Sequence, residues 1–182
     1  MNKQDKRAVA RKGTERRVYD AFLKLLEQKG YGSITVSDII NESDVARSTF
    51  YRHFSSVYDV LIQYGYYLGG RLKRESGDTA PDFFDRKYLI RLFTSFQGLC
   101  PDFTILDNAG VPTHLFELVI HYYEVELGTM SSLSPQRYSL YYYAGAFCCV
   151  VSQWMESGMN ESPETMADIF LQIAEGCPGD AC

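Results

Sequence analysis

The ten residues VARSTFYRHF, Val45 to Phe54, hold three aromatic rings, two arginines, a histidine and two hydroxyls. A surface segment has no need of so many rings, and a core segment has no need of so many donors. On a helix from about Ala46 to His53 the conflict disappears. Ala46, Phe50 and Phe54 fall at i, i+4 and i+8 on one face. Ser48, Tyr51 and Arg52 fall on the opposite face, flanked by Arg47 and Thr49. The phenylalanines anchor such a helix while hydroxyls, a phenol and guanidinium groups point outward. Its unpaired backbone N–H groups can also meet phosphate.

The residues before it predict a partner helix. Thr35 followed by Asp38 forms an N-cap with an acid at N3, opening a short helix near Val36–Asn41 with Ile39 and Ile40 on its buried side. The turn that follows, ESD, places Asp44 where a left-handed backbone is accepted at modest cost. Two short helices joined by a tight turn, the second polar on its outer face, make a helix-turn-helix. The second helix of that motif fits the major groove. There arginine binds guanine with two parallel hydrogen bonds, and tyrosine or threonine hydroxyls suit phosphate oxygens. An amphipathic helix with a solvated outer face satisfies the same pattern.

The rest of the chain is also helical in period. Val18, Phe22, Leu25 and Leu26 predict a helix from Thr14 to Gly30, after a charged stretch over 1–13 read as a flexible basic arm. Ser56 and Asp59 repeat the cap pattern and start a helix to about Arg74. ESGDTAPD is a break. Tyr88, Leu89, Leu92, Phe93 and Phe96 predict a helix ending near Gly98, with a separate short helix from Pro101 to Asp107. Pro112 leads a segment to about Leu127, and Pro135 starts a long helix to about Glu156. Ser162 and Pro163 are N-cap and N1 of a last helix to about Glu175, before a tail over 177–182. With no alternating apolar run, the fold class is all-α.

Charge divides this all-α chain. Its formal net charge of −5 argues against a polyanion partner, yet residues 1–54 carry a net of +4 and residues 55–182 a net of −9. A basic end meets a polyanion, and an acidic end has another task. Five irregularly spaced cysteines and an N-terminus without an apolar core point to a reducing cytoplasm. Tyr138–Met155 contains Ser139, Gly145, Ser152 and Gln153, and reads as a buried helix rather than a membrane span. His114, Glu117, His121 and Glu124 share one helical face that could ligate a divalent metal, but a solvated stripe is the commoner meaning; no metal or cofactor is expected. No phosphate loop, nucleophile elbow or paired catalytic carboxylates appear, so the chain is not read as an enzyme.

The stretch ITVSDIINESDVARSTFYRHFSSVYDVL, Ile34 to Leu61, resembles the N-terminal domain of the tetracycline-repressor (TetR) family of bacterial transcription regulators, most specifically in STFYRHF. The resemblance implies a helix-turn-helix domain over 14–58 and a helical effector-binding and dimerisation domain over 59–176. It implies that Ser48, Thr49, Tyr51 and His53 line the DNA side and that Thr35 and Ser37 hold phosphate. Three positions depart from the family's habit. Asp44 stands where a turn glycine is frequent, Ala46 replaces a capping serine, and Val57 falls where a lysine usually follows HF. Affinity is then expected to rest more on Arg47, Arg52 and the basic arm. WMESGMNESPETMADIF is loosely similar to the end of regulators of dihydroxyacetone-kinase operons.

In the acidic part, Tyr64, Tyr67, Phe93, Phe96, Tyr122 and Tyr142 are candidates to line a pocket for a small apolar or aromatic effector, although tyrosines also simply fill cores with their hydroxyls at the edge. Tyr138–Met155 is apolar nearly all round and so needs burial on most sides. With the last helix it is expected to form a four-helix homodimer interface through Tyr141, Gly145, Cys148, Ser152, Met166, Ile169, Phe170 and Ile173. Twofold symmetry would then set two recognition helices about 34 Å apart, one per major groove. These features describe a homodimeric, ligand-responsive repressor that binds a double-stranded operator. Val57 and the net negative charge leave open a co-activator or adaptor with the same fold that works through protein contacts.

Overall fold

The computed structural model describes residues 3–77, 82–111 and 134–176, with side chains from residue 11 onward. Among these residues every regular element is a helix. They are α1 (Lys3–Lys29), α2 (Val36–Ser43), α3 (Arg47–His53), α4 (Val57–Ser76), α5 (Arg86–Asn108), α6 (Pro135–Glu156) and α7 (Pro163–Ala174), with a 3-10 turn at Tyr31–Ser33. None of the described helices is long and apolar enough to cross a membrane. The chain divides into two compact units, Met1–Gly65 with Asp102–Pro112, and Tyr66–Pro101 with Thr113–Cys182.

Local chemistry sets most helix ends. Thr35 Oγ1 accepts from the Asp38 N–H, and the Asp38 carboxylate accepts from the Thr35 N–H at 2.7 Å, a closed capping box at the start of α2. Asp44 ends α2 in the left-handed region, at φ 50 and ψ 42. Gly30 ends α1 at φ 69, and its N–H returns to the Leu26 carbonyl at 3.0 Å. Ser56 Oγ accepts from the Asp59 N–H at 3.0 Å, but Asp59 reaches back to Ser55 rather than Ser56, so this second box closes one residue early. Ser162 caps α7 with Pro163 at its first turn.

Two elements differ from the sequence expectation. The helix expected from Thr14 begins at Lys3, because Gln, Lys, Ala and Arg before Gly13 are good helix formers. Arg11 Nε pairs with Glu15 at 2.7 Å across the glycine, whose interior position costs only about 1 kcal/mol. The break expected between Gly98 and Pro101 is absent, and α5 runs through both. Proline in a helix interior costs about 3 kcal/mol. Here Pro101 and Gln97, whose carbonyl loses its donor, both lie on the exposed face, where water replaces the bond. On the other face Leu99, Phe103 and Leu106 are all buried. Two such side chains stabilise by about 1.5–3 kcal/mol each, enough to carry the helix through.

In the first unit α1 supplies Val18, Tyr19, Phe22, Leu25 and Leu26 to the core. Ion pairs Lys24–Glu42 and Lys29–Asp38, the latter at 2.7 Å, run from α1 to α2. Phe54 stands edge-on to Tyr19 at 5.9 Å between ring centroids and lies 5.5 Å from Phe50. The end of α5 closes the unit. Tyr64 donates its hydroxyl to Asp102 at 2.6 Å, and the Tyr31 N–H donates to the Ala109 carbonyl at 2.9 Å. In the second unit Phe93 of α5, Phe147 of α6 and Phe170 of α7 meet with ring centroids 4.8 to 6.5 Å apart. Arg86 at the start of α5 holds Asp168 of α7 with both arms of its guanidinium.

Two expectations follow. The hydrogen bonds from Lys29 and Thr35 draw the Asp38 carboxyl from 3.8 down to about 2. A depressed carboxyl stabilises the fold fully above its unfolded value, and that contribution is lost as pH falls through the folded value. Stability of Asp38→Asn should therefore fall less steeply than that of the parent between about pH 4 and pH 2 in urea titrations at stepped pH. Second, Phe50→Ala should cost about 3–5 kcal/mol in the same titrations, while Arg52→Ala stays within about 0.5 kcal/mol.

Candidate nucleic-acid interface

Helix α3 sorts its side chains by face. Phe50 and Phe54 are 0% and 1% exposed, whereas Arg47, Ser48 and Arg52 are exposed and Tyr51 is 49% exposed. Thr49 is half-buried. The faces divide as the helical wheel requires except at Ala46, expected on the inward face but exposed, because it is the N-cap and lies outside the helical turn that Phe50 and Phe54 orient. The Arg47 guanidinium lies 5.5 Å from the centroid of the Tyr51 ring, and its Nη2 reaches the Tyr51 hydroxyl at 3.4 Å. This pairing aligns a cation and a phenol on one outward ridge.

Both ends of α3 are held by other elements. Ala46 is its N-cap and offers no side-chain hydrogen bond, so the first-turn N–H groups have no side-chain cap. At the far end Gln63 of α4 donates from Nε2 to the His53 carbonyl at 2.9 Å. The His53 ring is largely covered, with Nδ1 3.6 Å from the Glu15 carboxylate on α1. Glu15 also holds Arg11, so one carboxylate links α3 to α1. Val57, where the related pattern has lysine, is the half-buried first residue of α4.

The other candidate DNA-facing residues lie at the start of α2. Thr35 and Ser37 are exposed there. The Thr35 hydroxyl donates to Asp38 at 2.6 Å while accepting from its N–H, so it serves the capping box. Lys29 sits on the same carboxylate and offsets its charge.

The candidate effector residues fall in separate places. Tyr64 belongs to the first unit with its hydroxyl on Asp102. Phe93 and Phe96 lie together in the aromatic core of the second unit, both against Phe147. Tyr67 is half-buried, and Tyr142 is 70% exposed on the outer side of α6. Tyr122 lies outside the described residues, as does the stripe His114, Glu117, His121 and Glu124. Among the described residues no group of three or more His, Cys, Asp and Glu is placed to hold a metal ion.

The candidate interface residues divide as well. Cys148, Met166 and Phe170 are buried within the single chain, and burial pushes the Cys148 thiol up to about 12. Tyr141, Gly145 and Ser152 are half-buried, and Ile169 and Ile173 are exposed. The exposed stripe of α6 lies one residue further on, at Ser139, Tyr142, Ala146, Cys149 and Gln153. Sequence reasoning had a signal for it in the alternating three- and four-residue spacing. An all-round apolar helix hides which of its stripes faces outward.

A family model described as bacterial regulatory proteins, tetR family, matches residues 18–64, and one described as a transcriptional regulator C-terminal region matches residues 111–176. The chain is 32% identical over 73 residues to YvkB of Bacillus subtilis (strain 168), an uncharacterized HTH-type transcriptional regulator. That match covers 38% of this chain and 39% of YvkB, so it spans well under half of the relative. Among solved structures, a TetR transcriptional regulator from Streptococcus agalactiae 2603V superposes with a TM-score of 0.63 at 21% identity, covering 92% of this chain and 96% of that one. The dihydroxyacetone kinase operon activator DhaS gives a TM-score of 0.51 at 19% identity, covering 88% and 93%. At these identities the structures speak for the fold. The two family models fall one in each half of the chain and together match more than half of it, and with the all-helical fold and its helix-turn-helix they show that this protein belongs to the TetR family.

Proposed function

We propose that this protein is a homodimeric, sequence-specific DNA-binding regulator of repressor type that responds to a small apolar ligand. The observation that carries the DNA-binding part is the split of α3, with both phenylalanines fully buried and Arg47, Ser48, Tyr51 and Arg52 presented together on the opposite face. Arg47 and Arg52 supply the cations and Tyr51 the phosphate-directed hydroxyl. His53 and Thr35 act behind this surface, the first through Glu15 and the second through its cap.

Dimer formation is supported by the outer faces of α6 and α7. Tyr142, Ala146 and Cys149 on α6 and Ile169 and Ile173 on α7 leave apolar surface uncovered, with Ile173 55% exposed. Spacings that alternate three and four keep such a stripe against a partner helix. The interface of this proposal is therefore the 142, 146, 149 and 153 stripe rather than 141, 145, 148 and 152.

Ligand response requires the second unit to bias the first. Helices α4 and α5 each begin in one unit and end in the other. The last turns of α5 hold Tyr64 of α4 and the backbone of Tyr31 just after α1. A ligand that shifts α5 would thus act on both neighbours of the recognition helix.

In fluorescence anisotropy with duplex DNA from upstream of its own gene, the protein should bind selectively and more weakly as salt rises. Arg47→Ala with Arg52→Ala should weaken binding at least about tenfold. Affinity unmoved by salt and by both substitutions would reject DNA recognition through α3 and favour the adaptor reading. For the dimer, Ala146→Arg should sediment as a monomer at concentrations where the parent is dimeric; an unchanged sedimentation coefficient rejects this face.

A further inference from the structure

Trp154 is the only tryptophan in the sequence. It sits in the last third of α6, 2% exposed, with its ring edge-on to Phe93 at 5.6 Å. Among the described residues its Nε1–H is the buried side-chain donor that has no hydrogen-bond partner. Indole is a donor only, so nothing else on the ring compensates. Buried polar groups are paired in the great majority of cases, and an exception calls for a physical reason.

The surroundings limit what could accept this hydrogen bond. Phe93 touches Trp154, Phe147 and Phe170, and Phe96 packs on Phe147. The described buried residues of this unit are apolar apart from Ser76, Ser95 and the phenol of Tyr88. The Ser95 hydroxyl donates to the Arg91 carbonyl, and neither it nor the Ser76 hydroxyl accepts from the indole N–H. An ionised carboxylate brought against these rings would lose its hydration. A neutral carbonyl oxygen meets the donor without that penalty, and an aromatic body suits the rings beside it.

We propose that the Trp154 indole N–H is the hydrogen-bond donor to the effector, and that the effector is an aromatic or otherwise flat apolar molecule bearing a neutral carbonyl, such as an aryl ketone. This rests on the reading that the second unit takes a small ligand, and it names the chemistry of that ligand. Trp154 orients the ligand by one directed bond, while Phe93 and its neighbours supply apolar contact.

The test uses the full-length protein with acetophenone and with α-methylstyrene, in which a methylene replaces the carbonyl oxygen. Calorimetry should give acetophenone about a tenfold advantage, the scale of one net hydrogen bond, and Trp154→Phe should erase it. In an ¹⁵N-labelled sample the single indole N–H resonance should move downfield with acetophenone and not with α-methylstyrene. Equal binding of both probes with an unmoved indole resonance overturns the donor role while leaving a ligand site in place. Binding of neither probe up to its solubility limit overturns the ligand class. Loss of the regulator reading itself would appear separately, as failure of the parent protein to bind DNA without any probe.

Discussion

The outward face of α3 depends on two phenylalanines. Seven residues are too few to hold a helix in water, where nucleation is costly and short helices are marginal. Helix α3 exists because Phe50 and Phe54 are buried, packed on each other with Phe54 also against Tyr19, and because Gln63 takes the carbonyl at its end. Once those rings are fixed, no choice remains for the others. Arg47, Ser48, Tyr51 and Arg52 must face away from the core. This outward face is thus a consequence of packing, and its precision is that of the core behind it.

The same economy operates around α3. Glu15 holds Arg11 on one side and approaches His53 on the other. Asp38 closes a cap with Thr35 and accepts Lys29 from α1. Each of these two carboxylates ties two elements together, so both are used in fixing geometry beside the outward arginines of α3. Exposed pairs of this kind contribute little stability singly. Their effect is to set where α2 and α3 stand relative to α1.

Much of this was legible residue by residue. The Thr35–Asp38 box, the left-handed Asp44, the Gly30 terminus and the proline starts at 135 and 163 all depend on one to four neighbouring residues. The two faces of α3 were legible for the same reason, since 3.6-residue geometry fixes them once helix is granted. The candidate site was less so at its margins. His53 reads as a DNA-facing residue from the family pattern, but its partner Glu15 is 38 positions away in sequence. Pro101 reads as a helix break, yet tertiary burial of Phe103 and Leu106 outweighs it.

Sequence alone determined the helical class, the helix-turn-helix and the outward placing of Arg47, Ser48, Tyr51 and Arg52 on α3, because each follows from local capping, turn chemistry and periodicity. Only the tertiary structure decided which stripe of α6 is left outward, that α5 continues through Pro101, and that the Trp154 N–H is buried without a partner. The physical reason is common to all three. A helix that is apolar on every side carries no record of which neighbour covers which face. A local penalty such as proline is overridden by contacts from distant residues. Satisfaction of a buried donor depends on every atom around it, and those atoms come together only when the chain has folded.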